Sequence, residues 1–351
     1  MKVIHIESGL GNQMLSYCEY LAMRKANPQD KLYIETIIYD IPECNQVTCQ
    51  WNGYELDRIF NIQASNMKEI ITPQTWEKLI SEIRESKFWE KNMNYPVYFT
   101  RAFKNIGINL VNTFGDFEEP QFWTDQLKSH GLRLRVKKIL KYTLIYCYLR
   151  MWKARRKVQP GKLDCTHILF PTTKQPLFAG QKLLFKYKGS GIELIEKEIR
   201  ESFTFPKITD EKNLCALKQI TGTNSVAIHA RRGDMLGTNY ACYVTGYFKR
   251  AVKLIRKNVQ NPTFYIFCDP GSVQWAKENF DILGLNGTKD HITFVDWNKG
   301  TESFRDMQLM AQCKHQIITN SSFGWWGAWL NDNPDKITCS PDYRINTTYT
   351  I

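Results

Sequence analysis

The carboxyl-terminal half of the chain alternates short apolar, β-prone runs with helix-forming stretches, and this alternation constrains the fold more than any other feature. The apolar runs lie at 225–229, 263–268, 291–295, 315–319 and 336–340, and the helical stretches fall near 245–259, 272–281, 302–313 and 322–331. Strands separated by helices join in parallel through right-handed crossovers, so the pattern predicts a Rossmann-like domain. The loops that follow the strands then share one rim. They carry Arg231-Arg232, Asp269-Pro270, Asp296-Trp297 and Asn320-Ser321-Ser322, which collects polar residues where open α/β sheets bind their ligands.

The amino-terminal half opens with a strand pattern over residues 2–7. Ser8-Gly9-Leu10-Gly11-Asn12-Gln13, a helical run to about Lys25 and a second strand pattern from Lys31 to Tyr39 follow. A Gly-x-Gly turn at a helix start lets backbone N–H groups approach an anion, although the third glycine of a dinucleotide fingerprint is missing. With 351 residues, two domains are expected, 1–205 and 206–351, with the boundary near Phe203 to Asn213 where Pro206 and a polar run interrupt the pattern. Residues 85–185 show no clear period and are assigned as mixed helix and loop.

Ten cysteines are scattered without a Cys-x-x-Cys pair, the usage of reduced thiols in a cytosolic protein. The sequence starts directly in a strand pattern and has no apolar run of the roughly 18 residues that a membrane span needs, so a cytoplasmic protein is expected. The net charge of +12 raises nucleic-acid binding as a reading. Its distribution argues against that, because much of the excess lies at 133–157, around an apolar stretch from Tyr142 to Trp152, and not at the rim of the predicted sheet. Two readings of this segment stand side by side. One is an interfacial amphipathic helix drawn to anionic lipid, giving peripheral contact with an inner membrane; the other is an ordinary helix with a solvated basic face and its aromatics in the core.

The block His229-Ala230-Arg231-Arg232-Gly233-Asp234 ends a predicted strand with two guanidinium forks, a geometry suited to phosphate. Ser321 and Ser322 at the start of a helix would add hydroxyl and backbone donors. Trp325, Trp326 and Trp329 are expected to pack the helix on the sheet.

Gly9-Leu10-Gly11-Asn12-Gln13, the His-x-Arg-Arg-Gly-Asp block, the strand ending in Asp269 and the run from Asn320 to Leu330 occur in an order that resembles the α-1,2-fucosyltransferases of glycosyltransferase family 11. The resemblance extends from residue 4 to about residue 331. It implies a GT-B fold, two Rossmann-like domains facing each other across a cleft. It also implies an inverting, metal-independent transfer of L-fucose from GDP-β-L-fucose to O2 of a galactose in a glycan acceptor, which could be lipid-linked. Under it no cofactor is needed and no metal site is expected, in keeping with the absence of Asp-x-Asp from the sequence. Carried over by position, Arg231 and Arg232 clamp the diphosphate and Asp306 accepts from guanine. Ser322 and the loop of Gly9, Gly11, Asn12 and Gln13 complete phosphate binding with Asn320 and Ser321, while His229 and Asp269 lie beside the nucleoside. Arg231 and Asp234 are the catalytic candidates, Asp234 either as general base or as a residue that orients the arginine. Asp116 and Glu118 are acceptor-side alternatives.

The sequence departs from related patterns at Cys268-Asp269-Pro270-Gly271, where the family has a Ser-Asp-Asp run, and at Asn239, where α-1,6 enzymes have glutamate. Two other readings remain: a GT-B fucosyltransferase of another linkage, and a basic nucleotide- or RNA-binding Rossmann protein.

Overall fold

The computed structural model describes residues 1–46, 52–91, 95–113, 136, 139–140, 142–157, 174–180, 183–187, 190–342, 345 and 347–351. The described residues form two compact α/β units, one within 1–136, 174–185 and 190–204, the other within 139–157, 186–187 and 205–351. Each is built on a wholly parallel sheet, so the α/β class expected from the alternating pattern is the one observed.

In the first unit β1 (Lys2–His5) and β2 (Leu32–Glu35) are joined by α1 (Leu10–Ala26). The sheet order is β2-β1-β4-β3, where β3 is Val111–Asn112 and β4 is Leu177–Ala179. These last two strands lie in the region read as mixed helix and loop. Two or three residues are too few to show a period of two, and Leu177, Phe178 and Ala179 are all buried, as strands covered on both faces are. One core cluster of this unit packs Val3 and Phe178 with Ile37, Ile38, Phe99 and Phe103. Helix α2 (Pro73–Glu85) joins it through Trp76, Leu79 and Ile83. Its start is set by Pro73 in the first turn and by Thr72, whose side chain accepts from the Thr75 N–H.

The segment expected within residues 1–205 that carries the aromatic, basic run departs from that assignment. Residues 139–157 group with the second unit, because α3 (Leu144–Lys157) packs against α4 (Leu236–Val244) and Tyr142 meets Tyr240 edge-on at 5.1 Å.

The second unit has sheet order β10-β9-β8-β5-β6-β7. The strands are β5 (Asn224–Ala230), β6 (Pro262–Cys268), β7 (His291–Val295), β8 (His315–Ile317), β9 (Thr338–Ser340) and β10 (Tyr349–Thr350). Val226, Ala227, Ile228 and Ala230 of the central strand are essentially inaccessible. Helix α5 (Tyr247–Asn258) covers the sheet through Tyr247, Phe248, Ala251, Val252 and Ile255, the i, i+4 and i+8 rows of one helical face.

Candidate active site

The chain runs outward from β5 to β6 and β7, then returns through α6 (Phe304–Gln312) to β8 on the other side of β5. The strand order therefore reverses between β5 and β8. Loops leaving two strands in opposite directions open a crevice at their carboxyl ends, the place where doubly wound sheets take ligands. What borders this switch point is the Arg231-Arg232 loop on one side and Asn320-Ser321-Ser322 on the other. The two are tied together. The Thr319 hydroxyl donates to the His229 carbonyl at 3.2 Å. Buried Asn239 donates to the Arg231 carbonyl at 3.2 Å and accepts from the Asn320 N–H at 2.9 Å. The Tyr243 hydroxyl donates to the same Arg231 carbonyl at 2.9 Å.

Two carboxylates hold the Arg231 side chain. Its Nη2 donates to Asp234 at 2.7 Å, and its Nε lies 3.4 Å from Asp269. Asp269, buried after β6, also accepts from the Arg232 N–H at 3.3 Å and from the Ser272 hydroxyl at 2.6 Å. Its oxygens thus organise the arginine turn. Gly233 allows the turn to close: at φ +27° a Cβ there would meet the Asp269 carboxylate at 3.2 Å. Asp234 thus meets the guanidinium through one carboxylate oxygen. Arg232 points elsewhere. Its guanidinium lies 3.6 Å from the ring centre of Trp275 and 4.9 Å from that of Tyr243, and burial lowers its pKa.

Opposite the arginines, α7 (Ser322–Trp329) begins with Ser321 in extended backbone at its N-cap, without a side-chain cap bond. A helix N-terminus aims backbone N–H groups and the positive end of its dipole at whatever lies before it, worth about 0.3–1 kcal/mol toward a negative charge. Asn320, Ser321 and Ser322 are all partly accessible there. The helix is seated directly on β5. A Cβ on Gly324 would come within 2.3 Å of His229 Nδ1, so only glycine admits this approach. The His229 ring is buried and its pKa falls to about 4, chiefly through burial and then through Arg231. Hence it is a neutral imidazole at physiological pH. Trp325 and Trp326 are buried, and Trp329 meets Trp325 at a tilt at 6.1 Å and Trp326 edge-on at 5.4 Å, so the tryptophans pack the helix as expected.

Asp306 sits in the first turn of α6, where the helix dipole favours the anion. Burial nevertheless raises its pKa to about 7, opposed by a hydrogen bond from Asn298 at 2.7 Å and reinforced by Asp296. Asn298 is itself fixed by paired amide bonds to Asn213, which also accepts from the Trp297 indole at 2.8 Å. The loop after β7 and the start of α6 therefore hold one carboxylate poised between its charged and neutral forms. The sequence reading missed the amide network around it, as it missed Asn239, Tyr243 and Trp275. Only Asn239 had a signal, as the odd residue in a glutamate position.

In the first unit Gly9 is the N-cap of α1, and the backbone N–H groups of Asn12 and Gln13 return to its carbonyl. Gly11 is buried and Asn12 partly so. The Gln13 side chain is committed inside the unit: it donates to the Ser8 and Gly53 carbonyls, both at 2.9 Å, and accepts from the Glu55 N–H at 2.9 Å. Asp116 and Glu118 lie outside the described residues.

Residues 194–343 match Glycosyl transferase family 11. The match covers less than half of the chain. It holds every second-unit residue of the site, from His229 to Ser322, while Gly9 to Gln13 precede the match. The chain is 34% identical over 152 residues to an Alpha-1,2-colitosyltransferase of Escherichia coli, covering 42% of this chain and 49% of that protein. It is 28% identical over 148 residues to human Galactoside alpha-(1,2)-fucosyltransferase 1, covering 39% of each. The chain thus spans about half the length, or less, of these relatives. Among solved structures, fucosyltransferase NodZ from Bradyrhizobium aligns with 93% of this chain and 92% of its own, at 11% identity and a TM-score of 0.44. Among the described residues, no helix is long and apolar enough to cross a membrane.

Proposed function

We propose that this chain is a family 11 glycosyltransferase, inverting, that moves L-fucose from GDP-β-L-fucose to a galactose hydroxyl, O2 by preference, of a surface polysaccharide or oligosaccharide. The observation that carries the reading is the Arg231 fork, aimed by Asp234 and Asp269 at the switch point that the α7 N-terminus also faces. In the transfer, the acceptor oxygen attacks the anomeric carbon from the face opposite the leaving group. The bond to the β-phosphate oxygen breaks, its electron pair leaves with GDP, the β-linkage becomes α, and the hydroxyl proton passes to solvent. Negative charge grows on the β-phosphate as that bond lengthens. A guanidinium already held in place stabilises this charge more in the transition state than in the ground state.

Under this reading Asp306 accepts from guanine, and Asn320, Ser321 and Ser322 offer donors to the diphosphate, with the backbone of Gly9, Gly11 and Asn12 as a further anion-binding turn. Arg231 is the catalytic residue and Asp234 its positioning residue. GDP-fucose is a substrate, and no resident cofactor or metal is invoked, since arginine supplies the cation; activity is expected to survive EDTA, and a loss restored by magnesium would oppose this. The deciding experiment is a thermal shift followed by product analysis. Stabilisation by GDP in preference to UDP and ADP, and an α-1,2 linkage by NMR after incubation with GDP-fucose and galactosides, support the reading. Equal shifts with all three nucleotides would remove it.

A further inference from the structure

Of the fifteen large apolar side chains that are exposed among the described residues, nine lie between 136 and 152. Leu144, Ile145, Tyr148, Leu149 and Trp152 of α3 are each about half exposed or more, and Ile145 reaches 74%. Their spacing, i, i+1, i+4, i+5 and i+8, places them on one face of the helix. Cys147, off that face, is buried, and the helix packs against α4. So α3 is anchored to the second unit and turns its apolar side outward, a patch that soluble monomers rarely leave uncovered. The reading that put these aromatics in the core is excluded.

The sequence around the helix identifies what fits the patch. Between residues 126 and 163 there are twelve Lys and Arg and no Asp or Glu, against 47 and 35 in the whole chain, so the remainder holds 35 of each and is neutral. The entire net charge of the protein sits in the stretch that exposes the apolar face. A second copy of this face would set two such segments against each other, and a nucleic-acid backbone gives aliphatic side chains nothing to enter. A membrane with anionic headgroups satisfies both features: headgroups face the basic residues, and Ile, Leu, Tyr and Trp enter the acyl boundary. With 14 residues the helix is too short to span a bilayer. We propose that α3, within its basic stretch of sequence, forms a peripheral docking surface for anionic lipid, a property independent of the transferase reading.

The test is sedimentation of the full chain with phosphatidylcholine vesicles, with and without about 30 mol% phosphatidylglycerol, at low and high salt. Binding is expected to be at least about tenfold stronger to the anionic vesicles and to fall about tenfold between roughly 50 and 500 mM salt, as the Debye length shrinks. Ile145→Glu with Leu149→Glu should cost at least about tenfold in binding while leaving the melting temperature and its response to GDP unchanged. Lys137→Glu, Lys138→Glu and Lys141→Glu together should remove the preference for anionic lipid with the apolar face intact. Salt-insensitive or equal binding to both vesicles, or wild-type binding by these variants, would overturn the proposal. So would a stable dimer, or an RNA complex, that the Ile145 and Leu149 changes abolish.

Discussion

The guanidinium of Arg232 lies 3.6 Å from the centre of the Trp275 ring, while its neighbour Arg231 is held by the carboxylates of Asp234 and Asp269. Two adjacent residues of one type therefore have different partners, and their substitutions should differ in kind. Arg231→Ala should lower kcat/KM several hundredfold with little change in melting temperature, since one preorganised donor to a developing charge is worth about 3–4 kcal/mol. Arg232→Ala should lower the melting temperature as well, because a desolvated cation–π contact contributes about 1–2 kcal/mol. Trp275→Ala should reproduce the stability loss of Arg232→Ala, and the double variant should add little to it. Full additivity would mean that the contact carries no energy.

The role proposed for Asp234 is to aim Arg231 and not to take the acceptor proton. Asp234→Asn keeps an acceptor oxygen for the guanidinium and loses the charge, and hydrogen bonds to charged groups contribute about 1.5–3 kcal/mol. The expected loss in kcat/KM is accordingly about ten- to a hundredfold, with the shape of the pH–rate profile retained. A general base replaced by an amide would instead erase the acidic limb of that profile and reduce kcat to background. Steady-state kinetics from pH 5.5 to 9 separates the two.

Asp306, with its pKa raised to about 7 by burial, should link protonation to stability and, under the proposed guanine contact, to donor binding. The unfolded carboxyl ionises near 3.9. Between that value and about 7 the folded state holds a proton that the unfolded state has released, so stability falls as pH rises through this window and levels off above it. Asp306→Asn should remove the slope, gaining stability relative to the wild type at pH 8 compared with pH 5. Guanine N–H donors favour the ionised carboxylate. GDP binding should therefore release protons near pH 6.5, read by calorimetry in buffers of different ionisation enthalpy. A stability difference that ignores pH, together with binding heats that ignore the buffer, would place Asp306 outside the site.

The central strands of the second unit were legible because they are buried and read as apolar runs, Val226-Ala227-Ile228 and Phe264-Tyr265-Ile266-Phe267, with a glycine or polar break after each. Short edge strands such as Val111–Asn112 left no such signature. The site was legible as a set of residue types and not as a set of partnerships. Nothing local in Asp269 says that it serves Arg231 and Arg232 across 37 positions, or in Asn239 that it joins Arg231 to Asn320. Gln13 shows the same limit, since the glycine turn marked it as a ligand while its amide closes contacts with residues 40 and more positions away. The apolar stretch of α3 was legible as a helix, but its exposure depends on which face packs, which periodicity does not report.

Gly324 offers the most direct check on how the two sides of the switch point meet. A Cβ there would lie 2.3 Å from His229 Nδ1, inside any allowed contact, and the imidazole is buried beneath α7. Gly324→Ala should therefore displace the ring or lift the helix start, costing about 1–3 kcal/mol as overpacked cores do. It should also weaken GDP binding if Asn320, Ser321 and Ser322 move with the helix. His229→Ala removes the obstructing ring and has its own cavity cost of similar order. Combining the two relieves the clash, so the double variant should be more stable than the sum of the single losses by at least about 1 kcal/mol in urea unfolding. Because the imidazole is neutral down to about pH 4, this coupling should be the same at pH 6 and pH 8. Strict additivity of the two substitutions would show that α7 is not seated on His229 in solution.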